Sequence, residues 1–283
     1  MFNLIKSISP ESIKKILRII RSNLYILLDK HKPYLSKIRY CNYDLYYTKG
    51  AGLINRIRFG NPNRIYEPEL INEIHKELRD KENPKILDIG TNIGLISLNL
   101  LDKVPNLTIY GFEPTPVAYK SLSVTIFANQ LENRLILLNK AVDSTSGEIT
   151  FYQHSEEDSS GDGFIDTKRS SSSSKEIKVK TISLDDWWIE NNKPKIDLIK
   201  IDIEGGELRA FKGANQLIDE IRPVIFMEIS EENLRVYPYN AMDILEFFNN
   251  KKYKIIDDTN TICNKENFKS ILEKCDTFIV KPE

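Results

Sequence analysis

The stretch Lys85-Ile86-Leu87-Asp88-Ile89-Gly90-Thr91-Asn92-Ile93-Gly94 constrains this chain more than any other. It begins as a short apolar run of the kind that makes a buried parallel strand, and it breaks at a glycine. From Ile93 to Leu101 the apolar residues then recur with a helical period. Strand, glycine turn and helix in that order are the unit from which a doubly wound sheet builds a small-molecule site. Glycine admits backbone angles closed to other residues and lets a ligand approach the main chain. The helix N-terminus adds N–H groups without intrahelical partners.

Spacing narrows the ligand. A dinucleotide fingerprint reads Gly-x-Gly-x-x-Gly. Here the glycines are Gly90 and Gly94, with Asn92 between them and Asp88 ahead of the first. An acid in that place repels a pyrophosphate. It suits a ligand carrying an ammonium group, such as the amino-acid end of S-adenosylmethionine.

Beyond this stretch the pattern is regular. Strands are expected at 85–90, 107–113, 134–139, 196–203 and 223–229, and helices at 93–102, 116–129, 206–213 and 240–250. Segments 253–257 and 276–281 would close the sheet. Strands alternating with helices mean an α/β architecture, doubly wound and Rossmann-like. Residues 148–153 and 177–182 alternate at period two and read as an inserted antiparallel hairpin. Between them, 155–175 is rich in Ser, Asp and Gly and reads as a loop. A short helix is expected at 184–190.

The first part differs. Residues 1–33 read as an amphipathic helix with a basic face bearing Lys14, Lys15, Arg18 and Arg21. Such a face offers peripheral membrane contact or self-association through residues 1–30. Residues 34–68 hold strand-like stretches rich in Tyr, and Glu67-Pro68-Glu69 opens a further helix. The expected division is an N-terminal helical extension and connector over 1–80 and a catalytic-type domain over 81–283.

Composition excludes several classes. The net charge is −1, so nothing favours nucleic acid as a partner. Three scattered cysteines without a Cys-x-x-Cys pair argue against a disulfide framework or zinc site and for a reducing compartment. No run of about 18 apolar residues predicts a transmembrane helix, and no signal-peptide pattern opens the chain. The expected location is cytoplasmic, with membrane association through the N-terminal helix.

In an open α/β sheet, ligands sit beyond the carboxyl ends of the strands. Acids cluster there: Asp88, Glu113, Asp202, Glu204 and Glu228. Glu113, ending the second strand, is placed to accept both hydroxyls of a ribose. Asp202, Glu204 and Glu228 end adjacent central strands. They could serve as general base or bind Mg²⁺, or Asp202 and Glu204 could cap the helix that follows. His154 is a second base candidate. Of the neighbours Trp187 and Trp188, one is expected to pack inward and the other to stack on a sugar ring.

Five blocks together resemble the FkbM-type methyltransferases. They are Asp88-Ile89-Gly90-Thr91-Asn92-Ile93-Gly94, Phe112-Glu113-Pro114, Asn139-Lys140-Ala141-Val142, Ser183-Leu184-Asp185-Asp186-Trp187, and Lys200-Ile201-Asp202-Ile203-Glu204-Gly205-Gly206-Glu207. The last block is the specific one. Thr91 stands where the family more usually has Ala. The resemblance implies a class I methyltransferase fold and S-adenosylmethionine as cofactor. It implies that Asp88, Gly90, Asn92 and Gly94 hold the methionine end, Glu113 the ribose, and Ala141 and Val142 the adenine. It further implies O-methylation of a hydroxyl on a sugar, polysaccharide or natural-product acceptor. A non-catalytic scaffold in a glycan-assembly complex is the alternative. Acceptor specificity is expected in 34–68 and 155–175.

Overall fold

The computed structural model describes residues 35–48, 52–55, 57, 65–153, 163–165 and 174–283. The basic helix expected at 1–33, His154 and most of the 155–175 loop lie outside these residues. Among the described residues, no helix is long and apolar enough to cross a membrane.

The chain opens with a hairpin, β1 (Leu35–Tyr40) and β2 (Tyr43–Thr48), followed by a one-turn helix α1 (Gly52–Asn55). Helix α2 (Pro68–Leu78) has Pro at its first turn, where a missing N–H costs nothing, and buries Ile71, Ile74 and Leu78. Then come β3 (Lys85–Ile89), α3 (Leu95–Lys103), β4 (Thr108–Phe112), α4 (Pro116–Ala128) and β5 (Leu135–Leu138). The insertion comprises β6 (Ala141–Val142), β7 (Gly147–Gln153) and β8 (Lys175–Ile182). After α5 (Leu184–Glu190) the sheet resumes with β9 (Leu198–Ile201), α6 (Glu207–Lys212), α7 (Asn215–Ile221) and β10 (Val224–Glu228). The C-terminal part holds α8 (Glu231–Leu234), α9 (Ala241–Asn250), β11 (Tyr253–Ile256), α10 (Phe268–Leu272) and β12 (Thr277–Pro282).

Seven strands form the central sheet in the order β11-β12-β10-β9-β3-β4-β5. The five from β10 to β5 are parallel, and β12 runs antiparallel to both of its neighbours. This is the doubly wound fold expected. The chain winds outward through β4 and β5, then returns to the other side of β3 through β9 and β10. The order therefore reverses between β3 and β9, where such sheets open a ligand crevice. The inserted strands form a separate sheet, with β7 and β8 antiparallel as expected and β6 parallel to β8.

Strand alternation sorts the core into two layers. Leu87, Ile89, Ile199, Ile201, Ile225 and Met227 belong to a cluster with Trp187, Trp188, Phe211 and Phe248. Ile86, Ile109, Leu198 and Phe226 belong to another, with residues of β1, β2, α2, α3 and α4. The core thus runs across the 80/81 division. The main chain of β2 is tied to α4: Asp44 N donates to Asn129 Oδ1 at 2.9 Å and Tyr46 N to Thr125 Oγ1 at 2.9 Å.

Helix α7 has no counterpart among the helices expected from sequence. It follows α6 after a two-residue break, too short for periodicity to separate the two.

Candidate active site

A cavity of about 460 Å³ opens where the sheet order reverses. Gly90, Thr91 and Asn92 line it from the β3–α3 turn, Glu113 and Pro114 from the end of β4, and Ala141 and Val142 from β6. Lys200, Asp202, Glu204 and Glu228 line it from the ends of β9 and β10. Glu67 and Asp276 complete it from the starts of α2 and β12.

The glycine turn is required by both backbone angle and space. Gly90 has φ +80°, and a Cβ on it would lie 2.0 Å from the carbonyl oxygen of Asp202. Gly94 has φ +86°, and its Cβ would meet Leu122 at 2.5 Å, so it serves close packing of α3 on α4. Asn92 sits in the left-handed region at φ 53°. That turn aims its N–H at Glu113 Oε2, 2.8 Å away.

Glu113 is held firmly. Its Oε1 accepts from the N–H of Thr115 at 2.8 Å and also from the Thr115 hydroxyl. A carboxylate offers about four lone-pair sites. Three are taken, which leaves one on Oε2 rather than room for a two-hydroxyl chelate. Burial pushes its carboxyl above the usual range, against the pull of these hydrogen bonds.

Asp88 and Gly94 are not among the cavity's lining residues. Asp88 shares parity with Ile86, so its side chain points to the α3 layer, where Oδ2 accepts from Ser97 Oγ at 2.6 Å. Its register partner on β9 is Lys200. The Lys200 Nζ lies 3.4 Å from Asp88 Oδ1 and donates to Gly90 O at 3.2 Å. Burial would lower the Lys200 pKa, but Asp88, Asp202 and Glu67 outweigh it and hold the ammonium above its usual value. A lone lysine in an apolar strand needs such a partner, and that was the signal in the sequence for this residue.

The carboxylates beyond β9 divide their duties. Glu204 is in the left-handed region at φ 58°, and its Oε2 accepts from Asn233 Nδ2 at 2.9 Å. The N–H groups ahead of α6 are taken by Glu207, whose Oε1 accepts from Ile203 N at 3.0 Å and Gly205 N at 3.3 Å. The helix-entry role considered for Asp202 and Glu204 therefore falls to Glu207, whose carboxyl is pushed by burial to about 7. Glu228 is pushed up to about 9 by burial and then by the charges of Asp202 and Glu204. Glu67 is raised by burial as well, against a hydrogen bond with Tyr66.

Among the described residues, no group of three or more His, Cys, Asp or Glu is arranged to hold a metal ion. Asp202, Glu204 and Glu228, the residues considered for Mg²⁺, all line the cavity without forming such a group, and Glu204 Oε2 accepts from Asn233 on α8. The tryptophan expectation is corrected too. Both Trp187 and Trp188 are 1% exposed. Trp187 packs edge-on against Tyr110 and Phe112, while Trp188 Nε1 donates to Pro194 O at 2.9 Å. Helix α5 turns both into the core, so neither reaches a ligand.

Phe151 of β7 and Phe164 also line the cavity, packed edge-to-face with centroids 5.6 Å apart. Arg209 covers Phe164 at 5.2 Å and forms a two-pronged ion pair with Asp143, just past Val142. Glu67, Asp276 and Phe164 carried no local sequence signal, since distant packing alone brings them to the cavity.

Comparison with known proteins agrees with the resemblance. The methyltransferase FkbM domain matches residues 88–255, more than half of the chain. Methyltransferase sdnD of Sordaria araneosa is 29% identical over 160 residues, 47% of this chain and 61% of that protein. The 2-O-methyltransferase NoeI of Sinorhizobium fredii is 29% identical over 189 residues, 60% of this chain and 74% of that protein. The hexuronic acid methyltransferase AglP of Haloferax volcanii is 28% identical over 145 residues, 51% of this chain and 56% of that protein. The chain thus spans about three fifths of the length of sdnD and of AglP.

Proposed function

This chain belongs to the FkbM methyltransferase family, and we propose that it transfers a methyl group from S-adenosylmethionine to a hydroxyl of a sugar, polysaccharide or related natural product. The observation that carries this reading is one continuous cavity. It joins the Gly90–Asn92 turn, Glu113 and Ala141–Val142 to the carboxylates Asp202 and Glu228. The relatives named for 2-O-methylation and for a hexuronic acid support a sugar hydroxyl as acceptor.

The residues present fit the cofactor. Gly90 to Asn92 line the cavity at the turn where the methionine end would lie. Glu113 Oε2 keeps a lone pair for one ribose hydroxyl. Ala141 and Val142 would give apolar contact for an adenine, and Phe151 and Phe164 line the same cavity. Asp88 and Gly94 act from behind: Asp88 fixes Lys200 and, through it, the Gly90 carbonyl. When bound, the cofactor supplies an electrophilic methyl on a sulfonium.

The chain's own work is then to orient the acceptor and to receive its proton. Glu228 holds its proton at neutral pH. In that state it would offer a hydrogen-bond donor to the acceptor rather than act as the base. Asp202, which lines the cavity, is our candidate to take the acceptor's proton, while Glu204, bound to Asn233, positions the turn.

Calorimetry with S-adenosylmethionine and its demethylated product tests the cofactor reading. Binding that Glu113→Ala weakens is expected, and absence of any binding would sink it. Labelled-methyl transfer tests the roles. Asp202→Asn is expected to lose about 10²-fold or more in rate, and Glu228→Gln, which still donates, to stay within about 10-fold.

A further inference from the structure

A second cavity of about 280 Å³ adjoins the first and shares Glu67, Lys200, Asp202, Glu228 and Asp276 with it. Leu70, Ile201, Phe226, Met227 and Thr277 form the rest of its wall. This recess lies on the α2 side of the sheet: Phe226 faces the α2 layer, and Glu228 shares its parity. It also lies toward β10, away from Glu113 at the end of β4. Two of its acids, Glu67 and Asp276, lie outside the residues matched by the family.

Charge in the recess is one-sided. Among the described residues lining the two cavities, the cations are Lys140 and Lys200. Lys140 stands beside Ala141, at the opposite end. Lys200 is 4% exposed and already engaged by Asp88 and the Gly90 carbonyl. Among the described residues, no ion pair within 4 Å neutralises Glu67, Asp202, Glu228 or Asp276. An incoming carboxylate or phosphate would meet carboxyl groups and find no uncommitted ammonium. Hydroxyls and amines would find acceptors in Glu67, Asp202 and Asp276, beside the protonated Glu228.

We propose that this recess is the acceptor subsite, and that Glu67 and Asp276 select a neutral or amine-bearing sugar and reject one carrying a carboxylate or phosphate. The proposal rests on the methyl-transfer reading above and adds the acceptor's charge to it. It sets this chain apart from AglP, which is named for a hexuronic acid. Like-charge juxtaposition is a device for rejecting a wrong ligand.

The test uses the full chain with labelled S-adenosylmethionine and three pools of methyl glycosides: neutral hexosides, aminohexosides and hexuronosides. Product is expected from the neutral or amino pool, with hexuronosides slower by about 10-fold or more, the effect of one like-charge contact. Glu67→Gln and Asp276→Asn, singly and together, are expected to raise hexuronoside methylation relative to the other pools. Cofactor calorimetry on each variant serves as the check on folding. Three results would overturn the proposal: hexuronosides methylated as fast as the others, a pool ratio unmoved by variants that bind cofactor, or no product from any pool with cofactor bound. If the unaltered chain binds no cofactor, the methyl-transfer reading itself fails, and that outcome is read separately.

Discussion

Glu228 and Glu207 are ionisable groups that the fold prefers to keep protonated. An exposed glutamate titrates near 4.5, whereas in the fold Glu228 moves to about 9, with burial first and Asp202 and Glu204 next among the causes. A raised pKa means that the folded state holds the proton more tightly than the unfolded one. Its stabilising contribution is complete below 4.5 and fades as pH climbs toward 9. Glu228→Gln carries no such dependence. The variant should gain stability over the unaltered chain between those two pH values, by at most about 1.4 kcal/mol per pH unit. Urea midpoints at pH 5, 7 and 9 measure this, and a constant difference across the three would refute it. Gly90 gives a sharper expectation at this scale. Gly90→Ala places a methyl 2.0 Å from the Asp202 carbonyl at a φ of +80°. Overpacking and backbone strain together should cost about 1–3 kcal/mol or more, and calorimetry should find cofactor binding lost.

Among the elements, β3 and β9 are tied by a charge pair set by register. Asp88 lies opposite Lys200, and their side chains share one face. Lys200→Met keeps the shape but strands a buried carboxylate. It should destabilise by about 3–5 kcal/mol, and adding Asp88→Asn should restore much of the loss. A double-mutant cycle in urea reads the coupling, and simple additivity would deny it. Helix α2 is held by Ile71, Ile74 and Leu78, and its start carries Glu67 to the recess. Ile74→Ala should cost about 2–5 kcal/mol. It should also impair acceptor turnover more than cofactor binding, as steady-state kinetics beside calorimetry can show.

For the molecule as a whole, the hairpin and α2 share their core with the α/β part. Tyr40, Leu45, Tyr47, Ile71 and Ile74 share one apolar cluster with Ile86, Leu98 and Leu122. A chain starting at residue 81 should therefore expose that layer. Loss of a single cooperative unfolding transition and binding of a hydrophobic dye are the expected signs. Retention of a sharp two-state transition would show that the α/β part folds alone.

Much of the architecture was legible because its signals are local. Apolar runs such as Leu198–Ile201 read as parallel strands. The Ser183 side chain caps α5 through Asp186 N at 3.1 Å, and the helix bounds 184–190 agree with the sequence reading. The Gly90 turn, Asn92, Glu113 and the Ala141–Val142 pair were readable for the same reason: each lies within a few residues of a strand end, and a parallel sheet gathers such ends on one rim. What a side chain meets is not local. Strand parity put Asp88 against Ser97, behind the cavity wall. Packing of α5 buried both tryptophans, and α8 drew Glu204 to Asn233. Antiparallel β12 and distant α2 carried Asp276 and Glu67 to the rim. The sequence alone determined the strand–turn–helix unit and that the Gly90 turn, Glu113 and Ala141–Val142 meet at one cavity, because backbone period and glycine act over short spans. Only the tertiary structure decided which carboxyls line the cavities and which way their pKa values move. That depends on register, burial and neighbours brought together across the whole fold.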